Sequence, residues 1–558
     1  MKTLLFVLLT MLGFAGGQLR AESGQDAARA ALDAYLAETP LVQYPELQRN
    51  GIFPFAVVSR VDANLTKEKF FGCRLDDSLR DDLKDMLRHN LNAWYNFCDY
   101  TDWRKRLARC EDVGMLLIET RYCGYGFPPF ETPDTVDFVE ASKSPSLYAW
   151  YGPDEPPMSS LPGFLSNKKR IYELDPKHPY VSAVVSHDAQ ETLAPAMEAM
   201  LANFYYGIGV KNDPTSFLNH FENARHLRSI TRGKRAWLMI QTFSNRIQRE
   251  FNEEPDPCKV ILARYPTPLE IRLDMHSIAA GGAAGISFFI YNAVIPYWGE
   301  YGVENFDYTL VDPWGNSNET YGEIAAFGDR IVPIMPSIMD ADPSESVPVE
   351  YNQDTLLLGQ SGNALGTYLY FVNKSLEKSY YGNITVDLPD GCALYNLITL
   401  TEDIGGVALE PGDGIIFAVC TPENFEILRS EILGRREARQ AHLDELRAKE
   451  LAAAGFPDGN ASAEWLEAEA ALAQIQAEFG VIHQMLAPAN VITRVYNAPD
   501  LEPHKVRLCV LSRQYFAMKR DLARGEIPEP AALADLLAAV KILAGDYANS
   551  PIIIENSR

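Results

Sequence analysis

The sequence predicts an α/β protein: a (β/α)8 barrel, then a small antiparallel β-sandwich, then a C-terminal helical bundle. Three observations carry this. Between Ile52 and Asn292, short and nearly continuous apolar runs alternate with helical segments eight times over, the pattern of parallel strands buried on both faces and wrapped by helices. From about Ser344 to Cys420 the runs become short and alternating, with Gly, Asn and Pro between them. From Thr421 onward the chain is rich in Ala, Leu, Glu and Arg, with apolar residues repeating at helical spacing.

The barrel strands are read, in order, from "IFPFAVVSR" at Ile52, "NAWYNFC" at Asn92, "GMLLIETRYC" at Gly114 and "SLYAWYG" at Ser146. They continue with "PYVSAVVSH" at Pro179, "NFYYGIGV" at Asn203, "RAWLMIQTF" at Arg235 and "GISFFIYN" at Gly285. Between them Asp76 to His89 places Leu79, Leu83, Met86 and Leu87 on one helical face, and Pro214 to Thr231 reads as another helix. The competing fold is an open doubly wound sheet. No strand leads into a glycine-rich phosphate loop, and "GIGVKN" at Gly207 lacks the third glycine of a dinucleotide fingerprint.

The sandwich strands are "DTLLLGQSG", "LGTYLYFVNKS", "YYGNITVDLP", "CALYNLITL" and "DGIIFAVC". Helices follow over Pro422–Leu451, Ala461–Glu478, His504–Arg524 and Pro530–Tyr547, broken at "GFPDGN" and "GEIPEP". They carry no polar cluster and read as a packing or interaction module, open to self-association or protein contact. The N-terminus "MKTLLFVLLTMLGFAGGQLRAES" has one Lys, an apolar run from Leu4 to Phe14 and then small residues. That is the layout of a signal peptide over residues 1–21, and the run is shorter than the roughly 20 residues of a membrane span. Met275 to Trp298 also lacks charge between its His and Asn residues, but Gly281, Gly282 and Gly285 interrupt it. It reads as a buried helix leading into a buried strand. The expected organisation is signal peptide 1–21, catalytic barrel 22–343, sandwich 344–420 and helical region 421–558, in a protein exported to the periplasm or beyond. A formal net charge of -25 opposes nucleic acid or anionic membrane as partner. Eight Cys in an exported chain allow one or two disulfides, and none has metal-site spacing.

A barrel carries its chemistry at the C-terminal ends of its strands. Those ends read Cys98-Asp99, Glu119-Thr120-Arg121, Asp154-Glu155, His187-Asp188, Gln241-Thr242 and Tyr291-Asn292 for strands two, three, four, five, seven and eight. Trp150, Tyr151, Tyr205, Tyr206, Tyr297, Trp298 and Trp314 crowd the same end. Carboxylates among flat aromatic faces suit a sugar ring, which stacks its C–H face and offers hydroxyls to acceptors. The plainer alternatives are that the aromatics fill the barrel rim and that Asp154 and Glu155 cap a helix near Ser159. Other constellations fail. No GxSxG elbow accompanies His187-Asp188, and His220 and His226 in "HFENARH" lie six apart, off a common helical face, which disfavours zinc.

"AWYGPDEP" (Ala149–Pro156) resembles the fourth-strand motif of the clan A glycoside hydrolase superfamily. "IRLDMHSIAAGGAAGISFFIYN" and "LVDPWGNSNETYGEIAAFGDRI" are similar to the last barrel helix and strand and to the helix entering the accessory sandwich. The likeness spans about Ile52 to Cys420. It implies Glu155 as the general acid/base, with Asp154 where relatives hold a sugar-binding Asn. It also implies a nucleophilic Glu at the end of strand seven, where this chain has Gln241. An amide cannot attack an anomeric carbon, so a second carboxylate is sought elsewhere. Glu119 comes first, Asp188 second, and Glu253, Glu254 and Glu300 behind them. The expectation is a secreted glycoside hydrolase acting on a poly- or oligosaccharide, with Glu155, Glu119 and Asp188 as catalytic candidates. Asp154, Trp150, Tyr151, Tyr206, Gln241, Tyr291 and Trp298 are the substrate-binding candidates. No cofactor or metal is expected. The alternative is a non-catalytic carbohydrate-binding protein on a degenerate barrel.

Overall fold

Eight apolar runs lie side by side because a strand sunk between helices and barrel interior finds backbone partners only in neighbouring strands. The computed structural model describes residues 29–42, 44, 51–97, 102–120, 135–156, 160–184, 187–204, 219–248, 260–263, 265–292, 304–489 and 501–551. The barrel strands are β1 (Phe55–Arg60), β2 (Ala93–Phe97), β3 (Leu116–Glu119), β4 (Leu147–Tyr151), β5 in two runs (Tyr180–Val181 and Ala183–Val184), β6 (Ala199–Phe204), β7 (Arg235–Gln241) and β8 (Gly285–Phe289). All neighbouring pairs are parallel, and β8 pairs with both β7 and β1. The first run of β5 pairs with β4 and the second with β6, so the sheet is a near-closed barrel interrupted at Ser182.

The helices of this part are α1 (residues 29–38), α2 (Val61–Phe71), α3 (Leu75–Arg88), α4 (Trp103–Val113), α5 (Thr135–Ala141), α6 (Leu161–Leu174), α7 (His187–Leu193), α8 (Asn219–Ile230) and α9 (Pro268–Ala280). Local chemistry sets their ends. Asp102 caps α4 by accepting from the Arg104 amide, and Gly114 ends it in the left-handed conformation. Thr267 and Glu270 form a reciprocal capping box on α9. On α3 the predicted face is the buried one, Leu79, Leu83, Met86 and Leu87. The sixth strand lies earlier than the sequence pattern puts it, at "AMLANF" rather than from Asn203 onward. Its small residues suit a strand packed tightly on both sides.

One irregularity decides which side chains reach the barrel interior. Leu117 pairs with Leu147, whereas Ile118 pairs with Ala149, so Tyr148 is an extra residue in β4. The alternation of faces is reset there. Tyr148 stacks on Trp237 across the barrel, centroids 5.8 Å apart, and donates to the Ile52 carbonyl oxygen. Tyr151 turns inward against the edge of Tyr95. Trp150 turns outward, with its indole N–H donating to Asp175 and its ring against Phe138.

After the barrel come α10 (Glu319–Arg330), α11 (Met335–Ile338) and a six-stranded antiparallel sheet that includes β9 (Leu356–Asn363), β10 (Gly366–Asn373), β11 (Ala393–Asn396) and β12 (Gly414–Cys420). Alternation along β10 gives this sheet two buried faces. Leu369 and Phe371 join a core shared with two small β-ribbons, while Tyr368, Tyr370 and Val372 join the barrel's own core. His276 of α9 meets the Tyr370 hydroxyl at 2.7 Å across that junction. The chain ends in α12 (Pro422–Ala453), α13 (Ala463–Ala489), α14 (Glu502–Leu522) and α15 (Pro530–Ala548). Trp314 belongs to their core, not to the barrel mouth. It lies between Phe71 and Phe479, and its indole N–H donates to Ser512. The described cysteines, Cys73, Cys110, Cys392, Cys420 and Cys509, are all free thiols. Among the described residues no helix is long and apolar enough to cross a membrane.

Candidate active site

The segment Gly152–Glu155 runs on from β4 alongside β5 and is tied to it by its backbone. The Gly152 amide donates to the Val181 carbonyl, the Ser182 hydroxyl to the Pro153 carbonyl, and the Glu155 amide to the Ala183 carbonyl. These bonds span the interruption in β5 and hold the doublet at the C-terminal end of the barrel. Gly152 is required by packing, since a Cβ there would lie 2.6 Å from the Tyr180 ring. Asp154 and Glu155 therefore stand on an extension of the sheet. Helix α6 starts only at Leu161, behind Ser160, and neither carboxylate is its N-cap.

The two carboxylates face different surroundings. Glu155 is exposed and sits at φ +46°, in the left-handed region that side-chain-bearing residues rarely adopt. Asp154 is half-buried and accepts a 2.6 Å hydrogen bond from the Tyr151 hydroxyl, whose ring lies inside the barrel. Burial raises the Asp154 carboxyl from its ordinary 3.8 to about 6, and the neighbouring Glu155 charge adds to the rise. The Tyr151 hydrogen bond pulls the other way without cancelling it. A carboxyl poised there can hold a proton near neutral pH and give it up, the property a general acid needs.

This placement carries a stability signature. A raised acid destabilises the fold once it ionises, so the penalty is absent below the unfolded-state value near 4 and complete above about 6. Asp154→Asn keeps the acceptor for Tyr151 and removes the charge. We expect the variant to be as stable as the wild type at pH 4 and more stable by about 1–2 kcal/mol at pH 7.5, after discounting for partial exposure. Urea denaturation at the two pH values checks this.

The other sequence-predicted residues are dispersed. Gln241, fully buried, ends β7 on the same strand face as Trp237, and its Nε2 donates to the Phe243 carbonyl at 2.8 Å. Glu119 does not open onto the mouth. It is 2% exposed and forms a fork with the equally buried Arg106 of α4, with Nε to Oε2 at 3.1 Å and Nη2 to Oε1 at 2.6 Å. Trp150, as described, faces the helix layer. Tyr291 also turns outward, donating to Asp85 of α3 at 2.8 Å and meeting Tyr321 edge to face. Asn292 approaches Asp82, whose carboxyl burial pushes up. Asp188 is exposed on α7. Tyr206 and Trp298 lie outside the described residues, as do Asp99, Arg121, Tyr205, Glu253, Glu254, Tyr297 and Glu300.

The structure thus brings Tyr151, Asp154, Glu155 and Gln241 to one end of the barrel, over an interior that also holds Tyr95 with its hydroxyl 3.2 Å from Ser287. Tyr95 and Ser287 escaped the sequence reading because they lie within their strands, away from the ends. Tyr151 and Asp154 were named from the strand end, but which of Trp150 and Tyr151 faces the interior is set by the bulge at Tyr148, which leaves no mark in composition. Among the described residues, Glu155 is the other carboxylate on the Asp154 segment, and it faces solvent.

No family model and no curated protein matches the chain. Among solved structures it is similar to the β-galactosidase of the psychrophilic Marinomonas ef1, with TM-score 0.37 and 10% identity over 52% of this chain and 62% of that one. It is similar to the GH2 β-galacturonidase of Eisenbergiella tayi bound to galacturonate, with TM-score 0.35 and 14% identity over 50% and 51%. It is similar also to the Faecalibacterium prausnitzii β-glucuronidase, with TM-score 0.36 and 12% identity over 50% and 49%. The chain thus spans about half to three-fifths of the length of these structures, and the likeness is one of fold alone.

Proposed function

We propose that this chain is an exported glycoside hydrolase whose proton donor is Asp154. One observation carries the reading: a half-buried carboxyl at the end of the fourth barrel strand, raised to about 6, hydrogen-bonded by Tyr151 and backed by a second carboxylate. Asp154 and not Glu155 is the acid, because burial raises the group that is withdrawn from water and leaves the exposed one facing the solvent side. Protonated Asp154 gives its proton to the glycosidic oxygen as the bond to the anomeric carbon breaks. A second carboxylate is needed to activate water or to hold the developing cation. Glu155 is the described group nearest in sequence, and the candidates Glu253, Glu254 and Glu300 lie outside the described residues. Export rests on the apolar leader from Leu4 to Phe14.

A second reading has its own support. Gln241 stands where hydrolases of this barrel type place a nucleophile, and its amide N–H is held by the Phe243 carbonyl. That favours a protein that binds a glycan without cleaving it. Hydrolysis of a panel of alkyl glycosides and alkyl uronides by wild type, Asp154→Asn and Glu155→Gln separates the readings. Turnover that collapses in Asp154→Asn supports the hydrolase. Saturable binding of an oligosaccharide with no turnover in any protein supports the binder.

A further inference from the structure

We propose that His187, Glu191 and His226 form a binding site for a divalent zinc-class cation on the rim of the barrel. His187 and Glu191 are one turn apart on α7, so they share a face. His226 reaches that face from the neighbouring helix α8. Its Nε2 lies 2.5 Å from Glu191 Oε1, and His187 Nε2 lies 3.7 Å from the same oxygen. All three donor atoms fall within 4.8 Å of one another, and the two imidazole centroids are 5.5 Å apart.

Tetrahedral zinc with bonds of about 2.0–2.1 Å sets its ligands roughly 3.3–3.4 Å from each other. The observed separations bracket that spacing. His187 is 72% exposed at its side chain and can rotate to close the longer gap without moving the backbone. Two imidazoles and one carboxylate suit zinc, and a three-residue set leaves a fourth position for water or an oxygen of a bound molecule. The sequence reading missed the site because it tested His220 against His226 on one helix. His220 instead pairs with Asp274 in the core, at 2.5 Å, and the partner of His226 lies on the preceding helix. Because α7 begins directly after β5, the cation would fasten the helix that follows the strand supporting Asp154. The site is independent of the hydrolase reading.

The test is titration of the full, chelator-treated chain with Zn2+ by calorimetry, and with Co2+ by visible absorption. Wild type should bind one equivalent with a tetrahedral cobalt spectrum and unfold at higher temperature as Zn2+ increases. His187→Ala and Glu191→Gln, both at exposed positions, should unfold as wild type does without metal, and each should weaken binding roughly 100-fold or more. Absence of one-equivalent binding to the wild type at 100 μM Zn2+, or equal affinity in both variants, overturns the proposal.

Discussion

Glu119→Ala is expected to lower the stability of the barrel by about 3–5 kcal/mol, the cost of leaving a buried charge without its partner. Arg106 and Glu119 are 1% and 2% exposed and meet through two parallel hydrogen bonds. Removing the carboxylate takes from a buried guanidinium the counter-charge and the two hydrogen bonds that Glu119 supplies. Glu119→Gln keeps one acceptor and should lose less. Replacing both residues by apolar ones of similar volume should recover most of the loss, because such a pair contributes little net stability over a well-packed apolar contact. A carboxylate serving chemistry at the mouth would behave differently, since its removal would abolish activity and leave stability unchanged or improved. Urea denaturation of the two single variants and the double variant decides the matter.

Asp154→Asn is expected to reduce kcat/KM by about 100- to 10,000-fold, the usual contribution of a positioned general acid. That corresponds to roughly 3–5 kcal/mol of lost transition-state stabilisation. The loss should be smallest for substrates with acidic leaving groups, which need little protonation, and largest for alkyl glycosides. Glu155→Gln should lower activity less, because its first effect is to remove the charge that helps raise Asp154. With that charge gone, Asp154 ionises at lower pH, and the fall of activity on the alkaline side begins earlier.

The barrel was legible because its strands are apolar on both faces, and the two-period alternation of β10 and the helical repeats after Thr421 were equally plain. The strand ends were harder. A strand shows which residues terminate it but not which side each faces, and one bulged residue at Tyr148 exchanges inside for outside. Trp150 and Tyr151 were both named as substrate-binding candidates, whereas the indole N–H of Trp150 donates to Asp175 in the helix layer. Glu119 faces α4, where its partner Arg106 sits 13 residues upstream on a separate helix, so no local pattern exposes the pair. Trp314 likewise finds Phe479 and Ser512 only through the tertiary fold. Gln241 is different, because its place at the end of β7 follows from strand order alone.

The most direct measurement of the central claim is the pH dependence of kcat/KM for an alkyl glycoside in wild type, Glu155→Gln and Asp154→Asn. The account predicts a wild-type alkaline limb near 6 that shifts to lower pH in Glu155→Gln and vanishes from the residual rate of Asp154→Asn. An unchanged limb in Asp154→Asn, with activity lost in Glu155→Gln instead, would contradict it and return the proton donor to Glu155.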